Sequence, residues 1–323
     1  MSWPAYSSSY FRLEQLADGV FAALSTDPRW ATSNAGFVNL GDRTLVFDSF
    51  ASPKAAQELR LAAEQETGHP VRWVINSHFH GDHVRGNQVF TPQASVVASA
   101  ATRQLIANSA ERIELALKTW PQTILDLQEQ ADKESDAEKR QSLREQIEGM
   151  ETQLSVFATL RLTLPQLTFE HRLTFHGSRR TAIVIAFDGG HTDSDSILWL
   201  PQDHILFAGD LLFCGGHPWV GDGDPLRWKE ILERMEALEP TAIVPGHGPM
   251  ATIPDLASLR RYLTDIDDLL QNAIQTGLSK EEVEKLPVPA PYAGLGQEGM
   301  YRWSLTRLYE KRSSAAQWFN QSY

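Results

Sequence analysis

Six consecutive residues, His78-Phe79-His80-Gly81-Asp82-His83, follow the strand-like run Val71-Arg72-Trp73-Val74-Ile75-Asn76 after the single residue Ser77. Three imidazoles and a carboxylate crowded at a strand end suit a borderline-soft divalent ion such as zinc, which takes nitrogen and oxygen ligands. On one tight loop, His78 and His80 can face one ion while Asp82 and His83 face another. Gly81 permits the tight turn that this crowding demands. A polar surface turn with chance histidines is a poor alternative.

Three later groups repeat the arrangement of a ligand just beyond a hydrophobic strand. His191 follows Ile183 to Phe187 through the turn Asp188-Gly189-Gly190. Asp210 follows Leu206-Phe207-Ala208-Gly209, and His247 follows Ile243-Val244-Pro245-Gly246. Rigid strands that present side chains on short glycine loops are how a preorganised metal site is built. Each residue alone could be incidental; in this order, together, they are hard to dismiss.

Around these groups the chain reads as alternating strands and helices. Strands are expected at 19–24, 35–40, 44–48, 173–175, 181–187, 196–200, 204–208 and 242–245, with a hairpin turn at Gly41-Asp42-Arg43. Helices are expected at 53–66, 228–238, 255–276, 279–285 and 299–318, the 279–285 helix opened by a Ser279/Glu282 capping box. Between about 101 and 160 the pattern is helical and highly charged. There Leu143, Ile147, Met150, Leu154 and Phe157 step by four and three, and the polar break 132–136 separates them from an earlier helix around Ile124 and Leu127. A helical hairpin packed on its own domain is expected, ahead of a dimer-forming arm or a substrate lid. The organisation is then a catalytic domain over 1–254 with this insertion, and a helical extension over 255–323 packing on the same domain.

The 323 residues are 42% hydrophobic and 22% charged, with a formal net charge of −12. That composition supplies a large core, and its sign argues against a phosphate-binding surface for nucleic acid. The lone cysteine, Cys214, rules out an intramolecular disulfide. The first ten residues have neither the basic start nor the apolar run of a signal peptide. No stretch approaches the ~20 apolar residues of a membrane helix, so a cytoplasmic protein with a small-molecule substrate is expected.

The segments SHFHGDH (77–83), GGHTDSDS (189–196), LFAGDLLF (206–213) and PGHGP (245–249), with the acidic strand end Val46-Phe47-Asp48, resemble the metallo-β-lactamase superfamily. The resemblance spans roughly residues 15 to 250 and implies an α/β fold, an αββα sandwich with metals at one edge. It implies that His78, His80 and His191 bind one metal, that Asp82, His83 and His247 bind a second, and that Asp210 bridges them. Some β-lactamases of the superfamily have a cysteine where Asp210 stands; Cys214 lies four residues too late for that role and is expected to be a buried thiol. The full histidine complement is closer to glyoxalase II and lactonase-type members.

Two Zn2+ ions are the expected cofactors, with iron or manganese as lesser alternatives. The expected reaction is attack by a metal-bridging hydroxide on an ester, thioester, lactone or amide carbonyl, with Asp82 orienting the nucleophile and accepting its proton. An iron-dependent oxidoreductase and a phosphodiesterase of small phosphodiesters are the competing readings. Asp48 and Asp195 are candidates to hold metal-bound imidazoles. His217 could touch substrate but more simply packs locally. The substrate pocket is expected along 213–228 and 287–301, with Phe213, Trp219 and Tyr292 as aromatic surface, and with a contribution from the insertion.

Overall fold

The computed structural model describes residues 6–321. Among them are two sheets. The first runs in sequence order through β1 (Phe11–Ala17), β2 (Val20–Ser25), β3 (Ala35–Asn39), β4 (Thr44–Phe47), β5 (Val71–Ile75), β6 (Ser95–Ser99) and β7 (Leu167–Phe169). The second contains β8 (Arg172–His176), β9 (Thr181–Asp188), β10 (Ser194–Leu200), β11 (Ile205–Phe213) and β12 (Ala242–His247), in the spatial order β12-β11-β10-β9-β8. β1 to β4 are antiparallel and β4 to β7 parallel; in the second sheet only the β11–β12 pair is parallel.

Strand alternation explains the layering, because successive side chains point to opposite faces. On β10 and β11, Leu198, Leu200, Ile205 and Phe207 turn inward to meet Val38, Leu45, Phe47 and Ile75 of the first sheet. Their neighbours Ile197, Trp199, Leu206 and Ala208 turn outward. That outer face is covered by α6 (Pro225–Glu236), α7 (Ile253–Gln275) and α9 (Glu298–Gln321) through residues such as Trp228, Leu232, Leu263 and Leu305. The first sheet's outer face carries α1 (Pro53–Thr67), whose Ala55, Ala56, Leu59, Ala62 and Ala63 meet Phe37, Val46 and Val74. The small alanine stripe lets the helix lie close to the sheet. Ser52 caps α1, with Pro53 at its first position and Gly68 in the left-handed region at its end. The result is the expected αββα sandwich.

The C-terminal helices share the second sheet's core rather than forming their own. α8 (Lys280–Val283) opens with the expected capping box between Ser279 and Glu282. No helix among the described residues is long and apolar enough to cross a membrane.

The insertion is a hairpin of α4 (Ala100–Lys133) and α5 (Ala137–Phe157). Asp136 caps α5, accepting the backbone N–H groups of Glu138 and Lys139 at 2.9 and 3.1 Å. Leu143, Ile147, Met150 and Leu154 pack on Ile124, Leu127 and Ala131, so the apolar stripe finds its partner within the hairpin. Phe157 departs from the stripe: its ring lies 5.9 Å from Trp120 and under the Arg85 guanidinium.

Three strands, β1, β6 and β7, go beyond the sequence expectation. β11 also runs on to Phe213 and β12 to His247, so Asp210 and His247 stand within strands rather than beyond them.

Candidate metal centre

The histidine loop is fixed by its backbone. Past β5, the Ser77 N–H donates to Asp48 Oδ1 at 2.7 Å and the Ser77 carbonyl accepts the Ser196 N–H at 2.7 Å, which ties the loop to both sheets. His80 then precedes a single helical turn, α2 (Gly81–Val84), and a second short turn, α3 (Asn87–Phe90), follows. The His83 carbonyl accepts from the Ser49 N–H, the Ser49 hydroxyl and Asn76 Nδ2 at 2.9, 3.0 and 3.1 Å. Gly81 is not in the left-handed region. What it supplies is space, since a Cβ there would collide with the Arg85 guanidinium.

From the second sheet, β11 and β12 run in parallel and carry Asp210 and His247 to the same edge, while His191 comes from the turn between β9 and β10. Gly246 lets the two strands approach. Asn34 holds this edge against the first sheet: its backbone N–H donates to Gly246 O at 2.7 Å and its Nδ2 to Pro245 O at 2.9 Å.

All seven residues anticipated as ligands meet here. His78, His80, His191 and Asp210 form one group and Asp82, His83 and His247 a second, each with donor atoms within 4.8 Å of one another. Asp210 lies between them: its carboxylate oxygens are 3.0 Å from His83 Nε2, 3.3 Å from both His191 Nε2 and His247 Nε2, and 3.7 Å from His78 Nε2. Asp82 Oδ2 is 3.3 Å from His247 Nε2 and 3.6 Å from His83 Nε2.

Four imidazoles have their other nitrogen held from outside. His78 Nδ1 meets Ser77 Oγ at 2.9 Å, His83 Nδ1 meets Asp48 Oδ2 at 2.8 Å, His191 Nδ1 meets the Trp219 carbonyl at 2.9 Å, and His80 Nε2 meets Asp222 Oδ2 at 2.9 Å. Each partner can fix a tautomer that leaves the inner lone pair free, the usual arrangement around a metal-ligating histidine. Inside, His78 Nε2, His83 Nε2 and Asp210 Oδ1 are buried without a hydrogen-bond partner. Three such orphans facing one another would be costly, and divalent ions would satisfy all of them. The donor set fits two ions.

The electrostatics agree. Burial, the largest influence, holds His191 down to about 3 and His78 well below the ordinary imidazole range, so both keep neutral donor nitrogens. Burial also opposes charge on His247 and His83. The Asp210 carboxylate, with Asp82 beside both and Asp48 beside His83, nevertheless raises His247 to about 10 and His83 well above its usual value. Burial works against ionisation of Asp82 and Asp210, but their histidine neighbours hold both below the carboxylate range. A cluster that draws protons onto two of its own imidazoles is one that attracts cations, and metal binding would displace those protons.

Of the other residues singled out in the sequence, Asp48 orients His83 directly. Asp195 does not touch an imidazole. It accepts from the Thr192 N–H and hydroxyl at 2.9 and 2.8 Å, holding the turn that carries His191. His217 is buried against Tyr262, with Nδ1 2.9 Å from its hydroxyl, apart from the cluster. Cys214 is half-buried rather than fully buried, and burial pushes its thiol up to about 12. Asp222 escaped sequence reading. It lies in the loop Gly221-Asp222-Gly223-Asp224, binds both His80 and Trp219 Nε1 (3.0 Å), and the His80 contact holds it below the usual carboxylate range against burial.

Asp48 provides a test of this outer support. Its φ is 62°, a region that asparagine tolerates, so Asp48→Asn should fold while losing the charge against His83. Metal affinity is expected to fall by about 10- to 100-fold, measured by competition with a chromophoric chelator. Unchanged affinity would show that Asp48 serves the loop backbone alone.

Besides a cavity of about 320 Å³ lined by Asp82 and Arg85, two cavities lie near the cluster. One, of about 350 Å³, lies between the histidine loop and the α4–α5 hairpin and is lined by His80 and Asp82. The other, of about 590 Å³, runs along Phe213, Cys214, Tyr262 and Tyr292. It follows the loop and C-terminal segment where the sequence placed the substrate pocket, yet none of the seven clustered residues lines it.

A family model described as the metallo-beta-lactamase superfamily matches residues 28–247. A curated relative, metallo-beta-lactamase type 2 of Bacteroides fragilis, is 32% identical over 92 residues, which is 27% of this chain and 37% of that protein. The chain thus aligns with little more than a third of that relative's length. Among solved structures, a metallo-beta-lactamase from Pontibacter korlensis matches with a TM-score of 0.57 at 19% identity, covering 79% of this chain and 99% of that one. At that identity the likeness concerns the fold.

Proposed function

The chain belongs to the metallo-beta-lactamase superfamily, and from that premise we propose that it is a hydrolase using two zinc ions to open the carbonyl of an ester, thioester, lactone or amide in a small molecule. The observation that carries this reading is the cluster itself: seven donors in two groups with Asp210 between them, and two buried nitrogens and an oxygen that face inward without hydrogen-bond partners. Zinc bound there would bring the pKa of water toward ~7 and polarise a substrate oxygen.

The remaining work falls to the chain's own residues. Asp48, Asp222, Ser77 and the Trp219 carbonyl keep four imidazoles in register, so little reorganisation is needed when substrate arrives. Asp82 is the half-buried carboxylate that also lines the hairpin cavity. Held ionised by His83 and His247 against its burial, it is placed to accept a proton from water and return it to the leaving group.

The test is a hydrolysis screen over thioesters, lactones, β-lactams, aryl esters and phosphodiesters, with metal analysis of protein purified without added metal. About two zinc ions per chain are expected, with turnover of a carbonyl substrate that chelation removes and zinc restores. Iron in place of zinc, or turnover indifferent to chelation, would overturn the reading.

A further inference from the structure

The hairpin cavity contains two arginines with no ion-pair partner among the described residues, although the Asp82 carboxylate acts on Arg85 through space. Arg85, one turn past Asp82, stands over the Phe157 ring at 4.8 Å, and Arg112 of α4 stands over Phe79 at 5.8 Å. Neither guanidinium has a hydrogen-bond or ion-pair partner among the described residues, in a chain whose net charge is −12. Elsewhere arginines such as Arg12, Arg60 and Arg260 meet carboxylates. Both arginines line the same cavity of about 350 Å³ as His80 and Asp82.

We propose that this cavity is the substrate pocket and that Arg85 and Arg112 bind a carboxylate carried on an apolar or aromatic acyl body. A guanidinium stacked on a ring keeps its N–H edge free and pre-oriented, and that edge matches a carboxylate fork. The lining also includes the apolar side chains Ile113, Ala116, Trp120 and Leu162, which suit an apolar acyl body; around half-buried Arg85 the lower polarity strengthens an ion pair. The volume lies at the small end of the range for ligand sites, roughly 300–1,000 Å³. A ligand whose carboxylate rests on the arginines would direct its other end to His80 and Asp82. The larger cavity is a poorer alternative for an anion, since it sets one arginine, Arg261, beside two carboxylates, Asp255 and Asp265, where the hairpin cavity sets two arginines beside Asp82.

The placement of the reacting carbonyl rests on the hydrolase reading; recognition of the carboxylate does not. Calorimetric titration of the metal-containing protein with 4-phenylbutyrate and with its neutral amide tests the recognition. The acid is expected to bind about tenfold more tightly or better. Arg112→Met and Arg85→Met should each reduce that ratio, and the double variant should bring it near one. Arg112 is exposed on its helix, so its variant keeps the test open should Arg85→Met disturb folding. The ratio should survive removal of the metals. Equal affinity in the wild type, a ratio unchanged in the double variant, or a ratio lost with the metals alone would overturn the proposal. Failure of the hydrolysis screen would leave these titrations untouched, so the two readings fall separately.

Discussion

Asp210→Ala is expected to strip both ions and reduce turnover by ~10³-fold or more. One oxygen of Asp210 faces His83 and the other faces His78, His191 and His247, so a single truncation removes the anion common to both donor groups. The change also leaves four imidazoles around a small void with less negative charge to offset a dication. Metal content after dialysis and rate in the hydrolysis assay are the measurements. His217→Ala is the control: its imidazole is committed to Tyr262, so metal content should stay at the wild-type level. Two tightly held ions and wild-type turnover in the Asp210 variant would sink the bridging assignment.

A single methyl group is expected to do comparable damage from the backbone side. At Gly246 an added Cβ would collide with Asp210 Oδ1 and come within 2.8 Å of the Asp210 backbone nitrogen. Neither atom has room to yield, because Asp210 is buried and the β11–β12 pairing on either side, at Gly209–Pro245 and Phe213–His247, holds the two strands together. Gly246→Ala should therefore push the carboxylate out of the cluster or part the strands. A cost of roughly 1–3 kcal/mol follows from overpacking, which for a chain of this size lowers Tm by about 1.5–4.5 °C. Metal content should drop as well. A variant with wild-type Tm and full metal loading would mean that the close approach of the strands carries no strain.

The candidate metal donors were legible in the sequence because each sits beside a strand whose apolar run is unmistakable, and because histidine is too costly a residue to crowd without a role. The hairpin was legible from its four-and-three stepping, and its partner helix from Ile124 and Leu127. What escaped reading depends on contacts distant along the chain. Asp222 meets His80 from a loop of glycines and aspartates that looks like any solvated turn. Asp195 looked as suitable for an imidazole as Asp48, but β10 aims it at Thr192. β6 and β7 are only five and three residues long, too short for alternation to show, and exist because β5 offers an edge to β6 and β6 in turn to β7. Arg85 and Arg112 gain their meaning only where α4 folds back over the histidine loop.

The distribution of the donors along the chain also governs the order of assembly. Four of them come from residues 78–83, behind the first sheet, and three from residues 191–247 of the second. Neither half is a site, so the metal affinity proposed for the centre would arise only after the two sheets have docked and a long loop has closed. During synthesis the centre is incomplete until His247 has emerged and β12 has paired with β11. Bound ions would then latch a structure already formed. They should leave the rate of folding nearly unchanged and slow unfolding, as interactions absent from the transition state do. A chelator would shorten the lifetime of the folded chain rather than delay its arrival.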